Sequence, residues 1–292
     1  MAAQLVRVHT VPGCEGLELV EGKYDSRFAR HAHPHFSIGV NTHGAQRLSH
    51  RGRETVVSRG EIVLINPDEA HSNEPAESSW SCVWLNPTPA ALTRLMPELA
   101  DSKILFHFAV VRDSHFAARI IHLLDRCVEP SSALEVQELY VNLLTGIFHR
   151  YGSRRLTVRS SAPIENVRER LADSPEANLS LSELAKEAGT SPTMLLRSFT
   201  KVIGCTPHVY QTAWRIHRSK QLLRDGCSIV EAALLCGFVD QSHFTRVFKG
   251  STGATPARYC AAIHSAGTAA PRTFQRKGAN LRSFGRWVQS IS

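Results

Sequence analysis

Between residues 17 and 85 short apolar runs alternate with polar turns. SIGV (37–40), ETVVS (54–58), EIVLI (61–65) and SCVWL (81–85) are rich in β-branched and aromatic residues. HRGR, SRGE and NPDEA between them hold the residue types that favour turns. Strands recurring every ~8–12 residues predict a sandwich or a small barrel. After Pro97 the period changes. Phe116, Ile120, Leu123, Leu124 and Cys127 recur at helical spacing over Ser114–Val128. Leu139, Leu143, Leu144, Ile147 and Tyr151 do so over Leu134–Tyr151. Two amphipathic helices joined by EPSSA are expected, with stripes suited either to cover a barrel or to form a dimer interface. GSRRLTVRSSAP, residues 152–163, is basic, has no apolar period and predicts a linker. The pattern from Ile164 to Ala262 is all helical. Residues 263–292 read as a basic, disordered tail, with LRSFGRWVQSIS able to form a short amphipathic turn.

The helical region repeats itself. SLSELAKEAGTSPTMLLRSFTKVIGCTP is followed by SIVEAALLCGFVDQSHFTRVFKGSTGATP. Leu195, Arg197, Phe199, Gly204 and Pro207 each meet a counterpart 49 positions later, at Phe244, Arg246, Phe248, Gly253 and Pro256. Upstream, Leu181, Glu183, Ala185 and Gly189 match Ile229, Glu231, Ala233 and Gly237 at an offset of 48. Each unit reads as a short helix, a turn containing glycine, and a second helix. Small Ala185 and Ala233 allow close helix approach; Gly189 and Gly237 supply freedom where the first helix ends. Ser191 and Asp240 suit N-caps of the second helices. Leu195/Phe199 and Phe244/Phe248 lie one turn apart and form the buried stripe. PHVYQTAWRIHRSKQLLRDG predicts one helix from Pro207 to about Arg224, roughly 27 Å long at 1.5 Å per residue. That length suits second helices one turn of B-DNA apart. Both units and the linking helix are expected to share one core.

Two such units, each ending Gly-x-x-Pro, resemble the DNA-binding domain of the AraC/XylS family of bacterial transcription regulators. The resemblance runs through Leu184-Ala185, Gly189, Ser191, Leu195-x-Arg197-x-Phe199, Gly204, Pro207, Ala233, Gly237-Phe238, Ser242, Phe244-x-Arg246-x-Phe248-Lys249, Gly253, Thr255-Pro256 and Tyr259. Thr200 and Cys236 depart from the family pattern. The resemblance implies that each second helix is a recognition helix. Helix geometry places Thr193, Leu196, Arg197 and Thr200 away from the buried stripe in the first unit. In the second unit it places Gln241, Ser242, Thr245, Arg246 and Lys249 there. Arg suits guanine, Gln adenine, and a Leu or Thr methyl the thymine methyl. Phosphate contact is the expectation for Thr200, Ser242 and Lys249.

Charge sharpens this picture. The net charge is +8. Residues 1–160 hold 17 Lys/Arg and 17 Asp/Glu, so all the excess lies in the C-terminal 132 residues. An anionic partner for that half follows, nucleic acid before membrane. Seven scattered cysteines without C-x-x-C argue against both a zinc finger and a disulfide framework, which fits a reducing cytoplasm. No apolar stretch approaches the ~20 residues of a membrane span. MAAQLVRVHTVPG lacks the apolar core of a signal peptide.

In the N-terminal half, Arg30-His31-Ala32-His33-Pro34-His35 precedes a strand, and Gly60 and Asp68-Glu69-Ala70-His71 follow. These stretches resemble the two motifs of the cupin barrel used as the sensor domain of AraC-like regulators. The resemblance implies that His31, His33 and His71 point together. Ser37 stands where enzymatic cupins carry a Glu ligand. Three readings of the set stay open: a metal site, a small-molecule pocket, or a purely structural role. The pocket is the favoured one, with His31, His33, Ser37 and His71 binding effector and no metal or other cofactor expected. His35, His43 and His50 read as surface residues, and Trp80 and Trp84 as core.

The expected fold class is α+β. Residues 1–151 form a cupin-like effector-sensing and dimerisation domain, 152–163 a linker, 164–262 an all-α double helix-turn-helix domain, and 263–292 the tail. The expected function is a cytoplasmic, non-enzymatic, sequence-specific transcription regulator. Its expected partners are promoter DNA, a small-molecule effector, RNA polymerase and a second copy of itself. The alternative is a metal-dependent cupin enzyme or metal sensor with an accessory helical domain.

Overall fold

A computed structural model describes residues 5–10, 18–97, 104–128, 132–154 and 162–265. The N-terminal part is one antiparallel sheet of eight strands: β1 (Leu5–Thr10), β2 (Glu18–Tyr24), β3 (Phe28–His31), β4 (Ser37–His50), β5 (Arg53–Val57), β6 (Glu61–Ile65), β7 (His71–Leu85) and β9 (Val110–Arg112). Their order is β1-β2-β7-β4-β6-β9, with β3 also on β7 and β5 also on β4. Among the described residues this path is open between β1 and β9. The four apolar runs read as strands all fall in β4 to β7. Two of those strands are much longer than their apolar runs, 14 and 15 residues. Polar residues extend them because β4 and β7 pair along their length, across two register shifts. Gly44 lies at one shift with φ +65, a conformation open to glycine at little cost.

The run EIVLI is buried at every position, because both faces of β6 are covered. Ile62 and Leu64 face a large core shared with Ile38, Val40, Val83 and Leu85. Val63 and Ile65 face Leu48 and Val57. The first core is closed by α2 (Ser114–Val128) and α3 (Ala133–Tyr151), whose Phe116, Ile120, Leu123, Tyr140, Leu143 and Ile147 are buried in it. The apolar stripes of these two helices are therefore spent on covering the sheet. A short α1 (Pro89–Leu95) adds Ala91 and Leu92.

Residues 152–154 of the expected linker form β10 (Gly152–Arg154), paired with β8 (Ile104–Phe106). Residues 162 and 163 already belong to α4 (Ala162–Asp173). The helical part continues with α5 (Leu181–Glu187), α6 (Pro192–Ile203), α7 (Pro207–Arg224), α8 (Ile229–Leu235), α9 (Gln241–Thr252) and α10 (Pro256–Ser265). The sequence repeat is a structural repeat down to its caps. Ser180/Glu183 and Ser228/Glu231 form capping boxes on α5 and α8. Ser191 and Asp240 cap α6 and α9 by accepting from Met194 N and His243 N. Gly204 and Gly253 end those helices in the left-handed region. The expected tail from residue 266 onward lies outside the described residues.

One expectation needs correction. The two units do not share a single core. Leu184, Ala185, Leu195, Phe199 and Tyr210 form one cluster; Ala232, Ala233, Phe244, Phe248 and Tyr259 form another. Helix α7 bridges them, giving Tyr210 to the first and Ile216 and Leu223 to the second. Each cluster also continues into the N-terminal part, through Ala32 and Ala70 in the turns beside β3 and β7 in one case and Val8 and Val20 of β1 and β2 in the other. The helical part is seated on the sheet by apolar contact, not merely tethered to it.

Candidate functional site

His31 ends β3 and His71 begins β7, where the two residues are paired across the strands. His33 lies in the turn between β3 and β4. That turn is held by a hydrogen bond from Asp68 N to His33 O of 2.8 Å. One ring nitrogen from each of His31, His33 and His71 lies within 4.8 Å of the other two. Nδ1 of each ring faces a backbone carbonyl. His31 Nδ1 is 2.8 Å from Ala29 O, His33 Nδ1 2.9 Å from His35 O, and His71 Nδ1 2.9 Å from Glu69 O. A carbonyl only accepts, so each Nδ1 carries the proton and each Nε2 of a neutral ring keeps its lone pair. Burial lowers the pKa of all three, and the neighbouring imidazoles lower those of His33 and His71 further. Ser37 Oγ lies 3.2 Å from His33 Nε2 and 2.9 Å from Asn86 Oδ1, and its single proton serves one of the two. The four residues proposed from sequence thus lie at one place.

Two neighbours were misread from sequence. His35 stacks on His33, with ring centroids 4.1 Å apart and an interplanar angle of 3°. His50 is buried, with Nε2 2.9 Å from Glu69 Oε2. His43 is exposed, as read. Trp80 is a core residue packed on Tyr24 and Phe28, while Trp84 is half-buried.

The cluster opens on a cavity of about 140 Å³ that the sheet does not enclose by itself. One wall is Val8, Val20, Tyr24, Phe28 and Trp80. The opposite wall comes from the helical part: Ile216, His217 and Lys220 on α7, Thr252 at the end of α9, and Tyr259 on α10. Ion pairs bind the two walls. Glu18 at the start of β2 meets Lys220 Nζ at 3.3 Å, the Arg224 guanidinium, and the Tyr259 hydroxyl at 2.6 Å. Burial alone would raise the Glu18 carboxyl. Lys220, Arg224 and Tyr259 outweigh it and hold the pKa at about 2. On the other side Arg168 of α4 meets Asp68 at 2.7 Å. Arg30 Nε donates to Gly204 O, at the end of α6, at 3.0 Å. Sequence reading missed this clasp. Its partners lie 100 to 241 positions apart, and a single charge leaves no periodic signal.

On α6, Thr193, Leu196 and Arg197 are exposed and Thr200 is half-buried beside the sheet. On α9, Gln241, Ser242, Arg246 and Lys249 are exposed and Thr245 half-buried. The stripe residues Leu195, Phe199, Phe244 and Phe248 are fully buried. Met194 and Val202, exposed on α6, were not singled out from sequence. Among the described residues no helix is long and apolar enough to cross a membrane.

A ligand-binding sheet carrying a pair of helix-turn-helix units defines a ligand-responsive DNA-binding regulator of transcription. Comparison with known proteins agrees. Residues 16–144 match the model of the AraC-like ligand-binding domain, and residues 184–262 match a helix-turn-helix domain. The chain is 32% identical over 227 residues to the uncharacterized HTH-type transcriptional regulator YbfI of Bacillus subtilis. That match covers 74% of this chain and 81% of YbfI. It is 23% identical to the HTH-type transcriptional activator RhaS of Salmonella typhimurium, over 76% of this chain and 84% of that one. In fold it is similar to ToxT of Vibrio cholerae solved with an unsaturated fatty acid bound. The TM-score is 0.53 at 15% identity, over 89% of this chain and 95% of ToxT. The chain belongs to the AraC family of transcription regulators.

Proposed function

We propose that the effector of this regulator occupies the cavity between sheet and helices, and that it controls DNA binding by changing how the two walls meet. The observation that carries this reading is the shared lining. His31, His33, Ser37 and His71 stand on the sensor side; His217 and Lys220 stand on the helix that joins the two helix-turn-helix units. A ligand touching both walls has different contacts in the clasped and open arrangements, which is the condition for shifting their balance. Imidazoles, a hydroxyl and an ammonium suit a polar or anionic molecule, and the aromatic wall suits an apolar body. The cavity is below the roughly 300–1,000 Å³ typical of drug-sized ligands, so the effector is small or its entry parts the walls. ToxT, with its bound fatty acid, supports testing carboxylates.

In this reading α6 and α9 enter successive major grooves of promoter DNA. Arg197, Arg246, Gln241 and Leu196 read base edges, with Thr193 and Thr245 beside them. Thr200, Ser242 and Lys249 hold phosphates. The protein works in the cytoplasm as a homodimer, recruits RNA polymerase, and catalyses no reaction. The test is a thermal-shift screen of the full-length chain against small carboxylic acids, amino acids and sugars, followed by DNA binding to a selected operator with each hit. A hit should change operator affinity, and Ser37→Ala or Lys220→Ala should remove the response while basal DNA binding remains. A hit that stabilises both variants as well as the wild type would place the effector elsewhere.

A further inference from the structure

We propose that strand β3 braces the two recognition helices. Arg30 positions the end of α6, Phe28 positions the end of α9, and the pair is held at one spacing for DNA. The inference rests on the reading that both helices enter successive major grooves. Gly204 and Gly253 are equivalent positions of the repeat, and each ends its recognition helix in the left-handed region. Both meet β3. Arg30 Nε donates to Gly204 O at 3.0 Å. A Cβ added to Gly204 would lie 3.6 Å from Arg30 Nη2 and 3.3 Å from Ala70 Cβ. A Cβ added to Gly253 would lie 3.2 Å from Phe28 Cζ and 2.9 Å from Tyr24 Cε1. A side chain at Gly253 would press on both rings, so glycine there serves the contact as well as the turn.

The strand is itself fixed. Phe28 and His31 pair with Asn73 and His71 of β7, and the register shifts between them, where Arg30 leaves toward α6. The Phe28 ring packs edge-on against Tyr24 and Trp80, with centroids 5.1 and 6.1 Å away. The ion pairs of the clasp end elsewhere, those of Glu18 on α7 and that of Asp68 on α4. They seat the helical part, whereas β3 touches the recognition helices themselves. The two units also meet along α7, and where the α4–α5 connection lies against Gly237, before α9 begins. That contact holds the start of α9, and β3 holds its end. One added base pair moves the second box by about 3.4 Å and turns it by about 35°. A braced pair of helices cannot follow such a step, and an unbraced pair follows part of it. β3 also ends in His31, which lines the cavity, so a ligand seated there touches the brace.

The experiment uses the full-length chain and an operator selected from random DNA, with derivatives carrying one base pair more or fewer between the two boxes. Competition binding gives the affinity for each. The wild type should lose at least about 10-fold on either change, because one box is then read out of register. Arg30→Ala should shrink that loss by about 2- to 10-fold, the range a single hydrogen bond is worth. Its affinity at the selected spacing should stay near that of the wild type. Arg30→Lys keeps a donor for Gly204 O and should restore the wild-type loss. Phe28→Ala should shrink the loss in the same direction. Thermal unfolding checks that each variant is folded, and exposed Arg30 keeps the test open if Phe28→Ala is not. A wild-type loss retained in Arg30→Ala would overturn the proposal. So would an equal fall at all spacings, which would assign Arg30 to a phosphate, or an equal rise, which would make β3 an obstruction to DNA. Arg246→Ala is measured alongside. If it leaves affinity and base preference unchanged, the groove reading fails. If it costs affinity while Arg30→Ala behaves as wild type, the groove reading stands and the brace falls.

Discussion

At the scale of single residues, exposure separates side chains with otherwise equal claims. Arg197 and Arg246 occupy the same place in the two units, and both are exposed on their helices beside buried Phe199 and Phe248. Replacing either with Ala should cost roughly 1–3 kcal/mol at the specific operator and relax preference at one base pair. Lys249→Ala should instead weaken all sequences alike and reduce the salt slope by about one. Competition binding at several salt concentrations separates the two patterns. An arginine variant with unchanged specificity would mean that its helix is turned differently on DNA. These faces were legible in the sequence because a helix repeats every 3.6 residues. Once Leu195 and Phe199 are assigned inward, their neighbours follow. The surface reading of His50 failed for the opposite reason: its buried contact is to Glu69, on the far side of two turns.

At the scale of elements, the two units test how far a repeat in sequence is a repeat in energy. Gly189 and Gly237 occupy matching positions, with φ of +61 and +75. A Cβ on Gly189 meets nothing within 4 Å, whereas one on Gly237 falls 2.5 Å from the backbone oxygen of Glu176. Gly189→Ala should therefore cost only the left-handed penalty, about 1–2 kcal/mol. Gly237→Ala should cost clearly more, because backbone must move. Urea denaturation of both variants checks this, and equal losses would count against the packing of the α4–α5 connection on the second unit. The caps show the same mixture. Ser191 and Asp240 were readable as local helix starts, but nothing local says that the α4–α5 connection runs under Gly237.

At the scale of the whole molecule, stability depends on the clasp around Glu18. Its carboxyl is held at about pKa 2, against an ordinary value of 4.5. A lowered carboxylate pKa contributes stability that is complete above about pH 4.5 and is lost as pH falls toward 2. The contribution is on the order of 3 kcal/mol. Thermal unfolding measured from pH 5 to pH 2.5 should fall more steeply for wild type than for Glu18→Gln. At neutral pH the variant should be less stable by roughly 3–5 kcal/mol, since Lys220 and Arg224 lose their buried partner. Parallel pH profiles of the two proteins would show that the clasp does not hold the carboxyl down.

By itself the sequence determined the class of this protein. The doubled helix-turn-helix, its caps, its inward stripes, the strand-rich sensor half and the charge imbalance are all written in local periods and residue types. It also placed His31, His33, Ser37 and His71 in one set, through resemblance to a motif rather than through spacing. The tertiary structure decided how these parts act on one another. It split the helical part into two cores and seated each on the sheet. It spent the stripes of α2 and α3 on the sensor core, and it completed the cavity with α7 and α10. Glu18 and Lys220 are 202 positions apart. A contact between such residues depends on how finished surfaces fit, and no period along the chain records it.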